Sequence, residues 1–118
     1  MKKFHVALPI EGEYLTTVRL TTGGLCALAG FDVDTAEDYK VCVTESLLIL
    51  KRNGFSHAEI EFTVGETLGC QVTGTQNDLA VEDVLENEIS RALLSALLGD
   101  VNFVTDEMGK VLQIAFEG

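Results

Sequence analysis

Glu45 is the residue whose type and position most suggest chemistry. It lies in an apolar stretch, between the segments 41–43 and 47–50. Burying an unpaired carboxylate costs several kilocalories per mole, so such a residue needs water or a polar partner. Glu45 therefore either lies on the solvent-exposed edge of its helix or faces a polar pocket. The local pattern leaves both interpretations open.

The histidines and cysteines predict no metal or redox centre. His5 and His57 have no cysteine or carboxylate at ligand spacing, which is typical of surface or structural histidines. The three cysteines, Cys26, Cys42 and Cys70, are odd in number and form no CxxC pair. We expect three small core residues with reduced thiols, as in a cytoplasmic protein, with a redox or metal role as the alternative. The phosphate-binding patterns GxxxxGK[ST] and GxGxxG and the nucleophile pattern GxSxG are absent.

Length and charge narrow the class of partner. The chain has 118 residues, which predicts one compact domain. Its 19 acidic and 8 basic residues give a net charge of −11. Such a field repels phosphate backbones and anionic lipids, so we expect neither a nucleic acid nor a membrane as partner. No segment approaches the roughly 18 apolar residues of a membrane helix. A basic protein surface is the better expectation.

The first half of the chain predicts one strand and two helices. Apolar residues alternate from Phe4 to Ile10, as in a half-buried strand. A helix follows over 11–29, with Gly30 as its C-cap. Asp34 and Glu37 resemble a capping box, which predicts a second helix running to about Arg52. The core-facing stripe of that helix is Tyr39, Val43, Leu47 and Leu50.

The second half predicts two hairpins around a third helix. Alternating segments over 58–64 and 68–72 form the first hairpin, which Gly74 to Asn77 interrupt. Short strands over 101–104 and 111–116 form the second. The order β-α-α-β-β-α-β-β predicts an α+β two-layer sandwich, with a mixed, mostly antiparallel sheet and three helices on one face. The predicted core stripe of the third helix is Val81, Leu85, Ile89, Ala92, Leu93, Ala96 and Leu97.

The segment AEDYKVCVTESLLILKRNGFSHAEIEFTV resembles the helix and following strand of anti-sigma-factor serine kinases. These kinases are the small, stand-alone branch of the histidine-kinase-like ATPases. The family helix carries Glu, then Asn four residues later and His-Gly eight and nine residues later, where this chain has Glu45, Ile49 and Asn53-Gly54. Arg19 in the first helix and the closing helix and hairpin also fit. The resemblance spans nearly the whole chain and implies the histidine-kinase-like ATPase fold over residues 1–118.

Departures from the family pattern fall on the nucleotide site. The counterpart of Glu45 activates the attacking group, and the Asn that should stand at Ile49 holds Mg²⁺ in the family. Asn53 lies one helical turn too far on to replace it directly. The adenine-binding DxGxG box is replaced by VTGTQNDLAVED, with Asn77 and Asp78. The connection to the third helix is too short for an ATP lid.

The resemblance then implies a non-catalytic regulatory domain with its ATP site lost and no cofactor or metal. Its partner would be a sigma factor or an anti-anti-sigma protein, and it would form a homodimer as family members often do. The expected contact surface is the first helix, around Thr16, Arg19 and Thr22. One alternative is an active ATP-dependent serine kinase with Glu45 as base and Asn53, Asn77 or Asp78 at an unusual ATP–Mg²⁺ site. Another is an unrelated small acidic α+β subunit.

Overall fold

A computed structural model describes residues 2–81 and 84–118, with the side chains of residues 84–86 left out of the description. Eight elements follow in the predicted order. They are β1 (Lys2–Pro9), α1 (Gly12–Leu28), α2 (Val33–Arg52), β2 (Phe55–Val64), β3 (Leu68–Asn77), α3 (Val84–Leu98), β4 (Val101–Thr105) and β5 (Val111–Glu117).

The strands form one sheet in the order β1-β2-β3-β5-β4. All four neighbouring pairs are antiparallel. Helix α2 packs against β2, β3 and β5, with α1 on one side of it and α3 on the other. The predicted α+β two-layer sandwich is therefore confirmed, but its sheet is entirely antiparallel and not mixed. Within the described residues, no helix is long and apolar enough to span a bilayer.

The core lies between α2 and the sheet. The predicted stripe of Tyr39, Val43, Leu47 and Leu50 is confirmed, because each of these side chains is at most 1% exposed. Tyr39 needs a polar partner at this depth. Its hydroxyl donates to the Leu68 carbonyl at 2.7 Å, which joins α2 to the start of β3.

The start of α2 differs from the prediction, because Asp32 and not Asp34 caps it. Asp32 has extended backbone angles, with φ −73° and ψ 173°. Its carboxylate accepts the Thr35 N–H at 2.7 Å, which satisfies one of the free donors of the first turn. Asp34 lies inside that turn and is not the cap.

Gly74 does not interrupt the hairpin as predicted. Strand β3 continues through it to Asn77, paired with β2. A Cβ atom at position 74 would overlap the Phe55 ring. The glycine therefore admits a buried aromatic side chain against the strand.

The predicted core stripe of α3 is largely wrong. Ile89 is 61% exposed and Leu93 is 37% exposed, whereas Leu94 and Ser90 are buried. The rest of the predicted stripe also departs from the core: Ala92, Ala96 and Val81 are exposed, Leu97 is half-buried, and the Leu85 side chain lies outside the described part. The helix has apolar residues on two sides, and the side that packs is the one that brings Ser90 against α2.

Candidate functional site

Glu45 is half-buried on the side of α2 that meets α3. Its Oε2 atom accepts a hydrogen bond from Ser90 Oγ at 2.7 Å. Arg52, two turns further along α2, donates from Nη1 to the same hydroxyl at 2.9 Å. The carboxylate therefore has a polar partner within the chain, and the three side chains join α2 to α3.

This geometry resembles that of a hydroxyl nucleophile beside a carboxylate base. Ser90, however, is only 4% exposed and belongs to the chain's own helix. Its hydroxyl donates to one of the two carboxylate oxygens of Glu45. Ser90 and Arg52 were not among the predicted site residues, since they lie 45 and 7 positions from Glu45 and only α2–α3 packing brings them together.

Asn53 has a structural environment. It is 6% exposed, and its Nδ2 donates to the Ile49 carbonyl at 2.8 Å. Its Oδ1 accepts the Val111 N–H at 3.0 Å, which fixes the start of β5 to the end of α2. Ile49 itself is fully buried in the core. Neither residue presents a free oxygen ligand in this arrangement.

Asn77 lies beside Asn53 at the end of β3. Its Nδ2 donates to the Asn53 carbonyl at 3.1 Å, and its Oδ1 accepts from Lys110 Nζ at 2.9 Å. Asp78 follows on the exposed side, where Leu79 N–H donates to the Gly54 carbonyl at 2.9 Å. The structure thus brings Asn53 and Asn77 together. Glu45 lies two turns away, about 12 Å along the helix axis.

A cavity of about 470 Å³ opens next to Asn53. It lies between the end of α2, the first half of α3 and the turn that joins β4 to β5. No local sequence pattern indicates this cavity, because its walls come from three separate segments at 53, 81–91 and 106–111. It is lined by Asn53, Val81, Asn87, Glu88, Arg91, Asp106, Met108, Gly109, Lys110 and Val111.

Two of the three residues predicted for a contact surface on α1 are exposed. Thr16 and Arg19 are exposed, and Arg19 Nε also donates to Thr44 Oγ1 at 3.1 Å. Leu20 beside them is 75% exposed. Thr22 is fully buried and its hydroxyl donates to the Val18 carbonyl at 2.7 Å, so this residue does not lie on the surface.

The three cysteines are buried, as expected for core residues. Desolvation raises the pKa of Cys42 to about 12, and burial also raises the pKa of Cys26 and Cys70. Neutral thiols are poor nucleophiles and poor metal ligands. In the described part of the chain no three His, Cys, Asp or Glu side chains lie close enough to hold a metal ion.

His5 is exposed, as expected for a surface histidine. Its Nε2 lies 2.7 Å from Glu61 Oε2, across the β1–β2 pair. Hydrogen bonds from Lys3 and His5 lower the pKa of Glu61. This ion cluster joins the edge strand β1 to β2.

Comparison with known proteins supports the resemblance. The chain is 24% identical to the serine-protein kinase RsbW of Bacillus mycoides, over 98% of this chain and 85% of that protein. The RsbW proteins of Bacillus cereus and Bacillus anthracis match at 22% and 23% identity with the same coverage. No protein-family model matches the chain. The similarity to anti-sigma-factor serine kinases of the RsbW type is therefore confirmed over almost the whole chain.

Proposed function

We propose that this relative of the RsbW kinases is a non-catalytic regulatory domain that binds protein partners and has lost the site for ATP and Mg²⁺. The observation that carries the proposal is the position of Ile49. An aliphatic side chain stands in the core where the family has its metal-binding Asn. Mg²⁺ needs oxygen ligands in near-octahedral geometry, and a buried isoleucine supplies none.

The nearby polar residues support the same conclusion. Both ends of the Asn53 amide bond to backbone atoms, so this residue is not a substitute ligand. Glu45 is bonded to Ser90. One of its two carboxylate oxygens is therefore engaged within the chain.

The length of the chain also supports a missing lid. The alignment with the Bacillus mycoides protein runs over 136 positions, more than the 118 residues of this chain. The RsbW protein therefore has residues with no counterpart here. We propose that an ATP lid before α3 is among the residues without a counterpart.

The proposed partners are a sigma factor or an anti-anti-sigma protein, in the cytoplasm of a bacterium, where the domain would regulate transcription as a homodimer. The proposed contact surface is the exposed side of α1 at Thr16 and Arg19. The neighbouring Leu20 is also exposed and would supply an apolar contact. Arg19 supplies a cation on a chain of net charge −11. A carboxylate on the partner would pair with this guanidinium.

Nucleotide binding is tested by thermal unfolding. We expect no rise in Tm with ADP or ATP at millimolar concentration, with or without Mg²⁺, because a ligand that does not bind the folded state does not stabilise it. The Bacillus cereus RsbW protein, measured in parallel, is the positive control. A clear rise in the Tm of this chain with ADP would contradict the loss of the site.

Partner binding is tested with a sigma factor from the same genome by calorimetry. Arg19→Glu should weaken binding, and Lys51→Glu, which changes an exposed cation at the far end of α2, is the matched control. Equal affinities for the two variants would show that α1 is not the contact surface.

An active serine kinase is the second candidate function, and the presence of Glu45, half-buried on α2 where the family has its base, favours it. Under this alternative, radiolabelled ATP would transfer phosphate to an anti-anti-sigma protein, and Glu45→Ala would abolish the transfer without abolishing nucleotide binding. Absence of transfer from the unmodified chain would exclude it for that substrate. The matches over 98% of the chain argue against the third interpretation, an unrelated subunit with an accidental resemblance.

A further inference from the structure

The cavity beside Asn53 has the size of a small-molecule site. Its volume of about 470 Å³ lies within the range of about 300–1,000 Å³ that is usual for ligand pockets. Val81, Met108 and Val111 supply apolar wall, and Met108 is 91% exposed. Such an exposed apolar side chain is available to cover a bound molecule.

Hydrogen bonds hold two of the walls in place. Asn53 fixes Val111 to the end of α2. In the β4–β5 turn, Asp106 Oδ1 accepts the N–H groups of Met108 and Lys110, each at 2.9 Å. The cavity is therefore formed without a ligand, which reduces the ordering cost of binding one.

Two cations line this cavity, although the chain has only 8 basic residues against 19 acidic ones. The Arg91 guanidinium lies 4.4 Å from the centre of the Phe103 ring, which fixes its plane. Lys110 bonds to a neutral amide oxygen of Asn77. Among the side chains that the structure describes, neither cation forms an ion pair with a carboxylate. Both charges remain available to an anion.

Asn87 supplies a separate observation. Its Oδ1 atom is buried and has no hydrogen-bond partner in the described part of the chain. Buried polar atoms are nearly always satisfied, and an unsatisfied one needs an explanation such as a missing ligand or water. Asn87 lines the same cavity as the two cations. A bound molecule with an N–H or O–H group would satisfy this acceptor.

We infer that the cavity binds a small organic anion that carries a hydrogen-bond donor on an apolar body, without a divalent metal. The anionic group pairs with Arg91 and Lys110, the donor bonds to Asn87 Oδ1, and the apolar body contacts Met108. Planar guanidinium groups bind carboxylates in a two-bond geometry, which suits a carboxylic acid. The inference does not depend on whether nucleotide binding is lost.

The carboxylates of the cavity fit this assignment. Asp106 already accepts two backbone N–H groups, so it holds the turn. Glu88 and Arg91 are both exposed to water, which screens both charges, whereas Lys110 is half-buried. The ammonium of Lys110 is therefore the less screened of the two cations.

The experiment is a titration of the full chain, labelled with ¹⁵N, followed by NMR. The probes are 4-hydroxybenzoate and indole-3-acetate, which combine a carboxylate, a ring and one donor. We expect saturable shifts at the Asn87 side-chain amide, the Arg91 Nε–H and the Gly109 N–H. The neutral methyl ester of 4-hydroxybenzoate should bind at least about tenfold more weakly, and Mg²⁺ should change nothing.

Variants test the assignment of each group. Arg91→Met and Lys110→Met keep an apolar stem and should each weaken binding about tenfold, whereas Lys2→Met, on the edge strand β1 at the other side of the sheet, should not. Folding of each variant is checked from its own NMR spectrum.

Absence of saturable shifts with both probes, or equal binding of acid and ester, would overturn the inference. Shifts in these residues with Mg²⁺–ADP and not with the carboxylates would overturn it and the proposed loss of nucleotide binding together. Shifts with the carboxylates alone support both.

Discussion

Two sides of α2 contact the rest of the molecule through different kinds of interaction. The apolar stripe of Tyr39, Val43, Leu47 and Leu50 is fully enclosed, and its only polar atom, the Tyr39 hydroxyl, is satisfied by the Leu68 carbonyl. The side that meets α3 carries Glu45 and Arg52, joined through Ser90. The first side binds the sheet by excluding water, and the second fixes α3 by hydrogen bonds. A polar interface of this kind is specific in geometry but contributes less free energy than a packed core.

The largest expected effect lies in the apolar stripe. Leu47→Ala should lower the free energy of unfolding by about 3 kcal/mol, because it removes a fully buried side chain and leaves a cavity. Urea denaturation measures the change. Leu20→Ala on the exposed side of α1 is the control, with an expected change within about 0.5 kcal/mol. Similar losses at the two positions would refute the enclosed stripe.

Asn53→Ala should have the next largest effect. It should lower the free energy of unfolding by about 2 kcal/mol, because the buried Val111 N–H would lose its acceptor. Asn102→Ala, at an exposed site on β4, is the matched change and should be nearly neutral. Chemical denaturation in the presence and absence of Mg²⁺ distinguishes a structural amide from a metal ligand. A loss seen only when Mg²⁺ is present would assign Asn53 to a metal site.

On the side of α2 that meets α3, Ser90→Ala should lower the free energy of unfolding by about 1–2 kcal/mol, since it removes the hydroxyl shared by Glu45 and Arg52. Ser95→Ala, an exposed serine of the same helix, is the control. A double-mutant cycle with Glu45→Ala measures the coupling directly. Additive effects of the two substitutions would mean that the hydrogen bond contributes nothing to stability.

The smallest effect concerns the start of α2 and its pH dependence. Hydrogen bonds from Thr35 lower the pKa of Asp32. This stabilisation is therefore complete above the unfolded pKa of about 3.9 and is lost as the pH falls through the lower folded value. Asp32→Ala should lower the urea midpoint at neutral pH more than Asp34→Ala does, and the difference should vanish in strong acid. The opposite order of the two variants would restore Asp34 as the cap.

The sequence predicted most of the fold and less of the site. Strong periodicity identified α2 and the β2–β3 hairpin, because apolar spacing reports directly which side of an element is buried. The same method failed for α3, where two sides are apolar and only contact with α2 selects between them. It also placed the cap of α2 at Asp34, because Asp32 and Asp34 lie two residues apart at the start of the helix and backbone angles decide which carboxylate reaches an N–H group.

Residue types and their spacing along the chain were enough to predict the α+β fold class, the order of the elements and the apolar stripe of α2. They also carried the resemblance to anti-sigma-factor serine kinases. Four features became visible only in the folded molecule. Ser90 donates a hydrogen bond to Glu45, and Asn53 accepts one from the first residue of β5. Thr22 is buried, and two cations line the same cavity as Asn87. The physical reason is distance along the chain. Hydrogen bonds act over about 3 Å between groups that the chain separates by tens of residues, and no local pattern encodes that meeting.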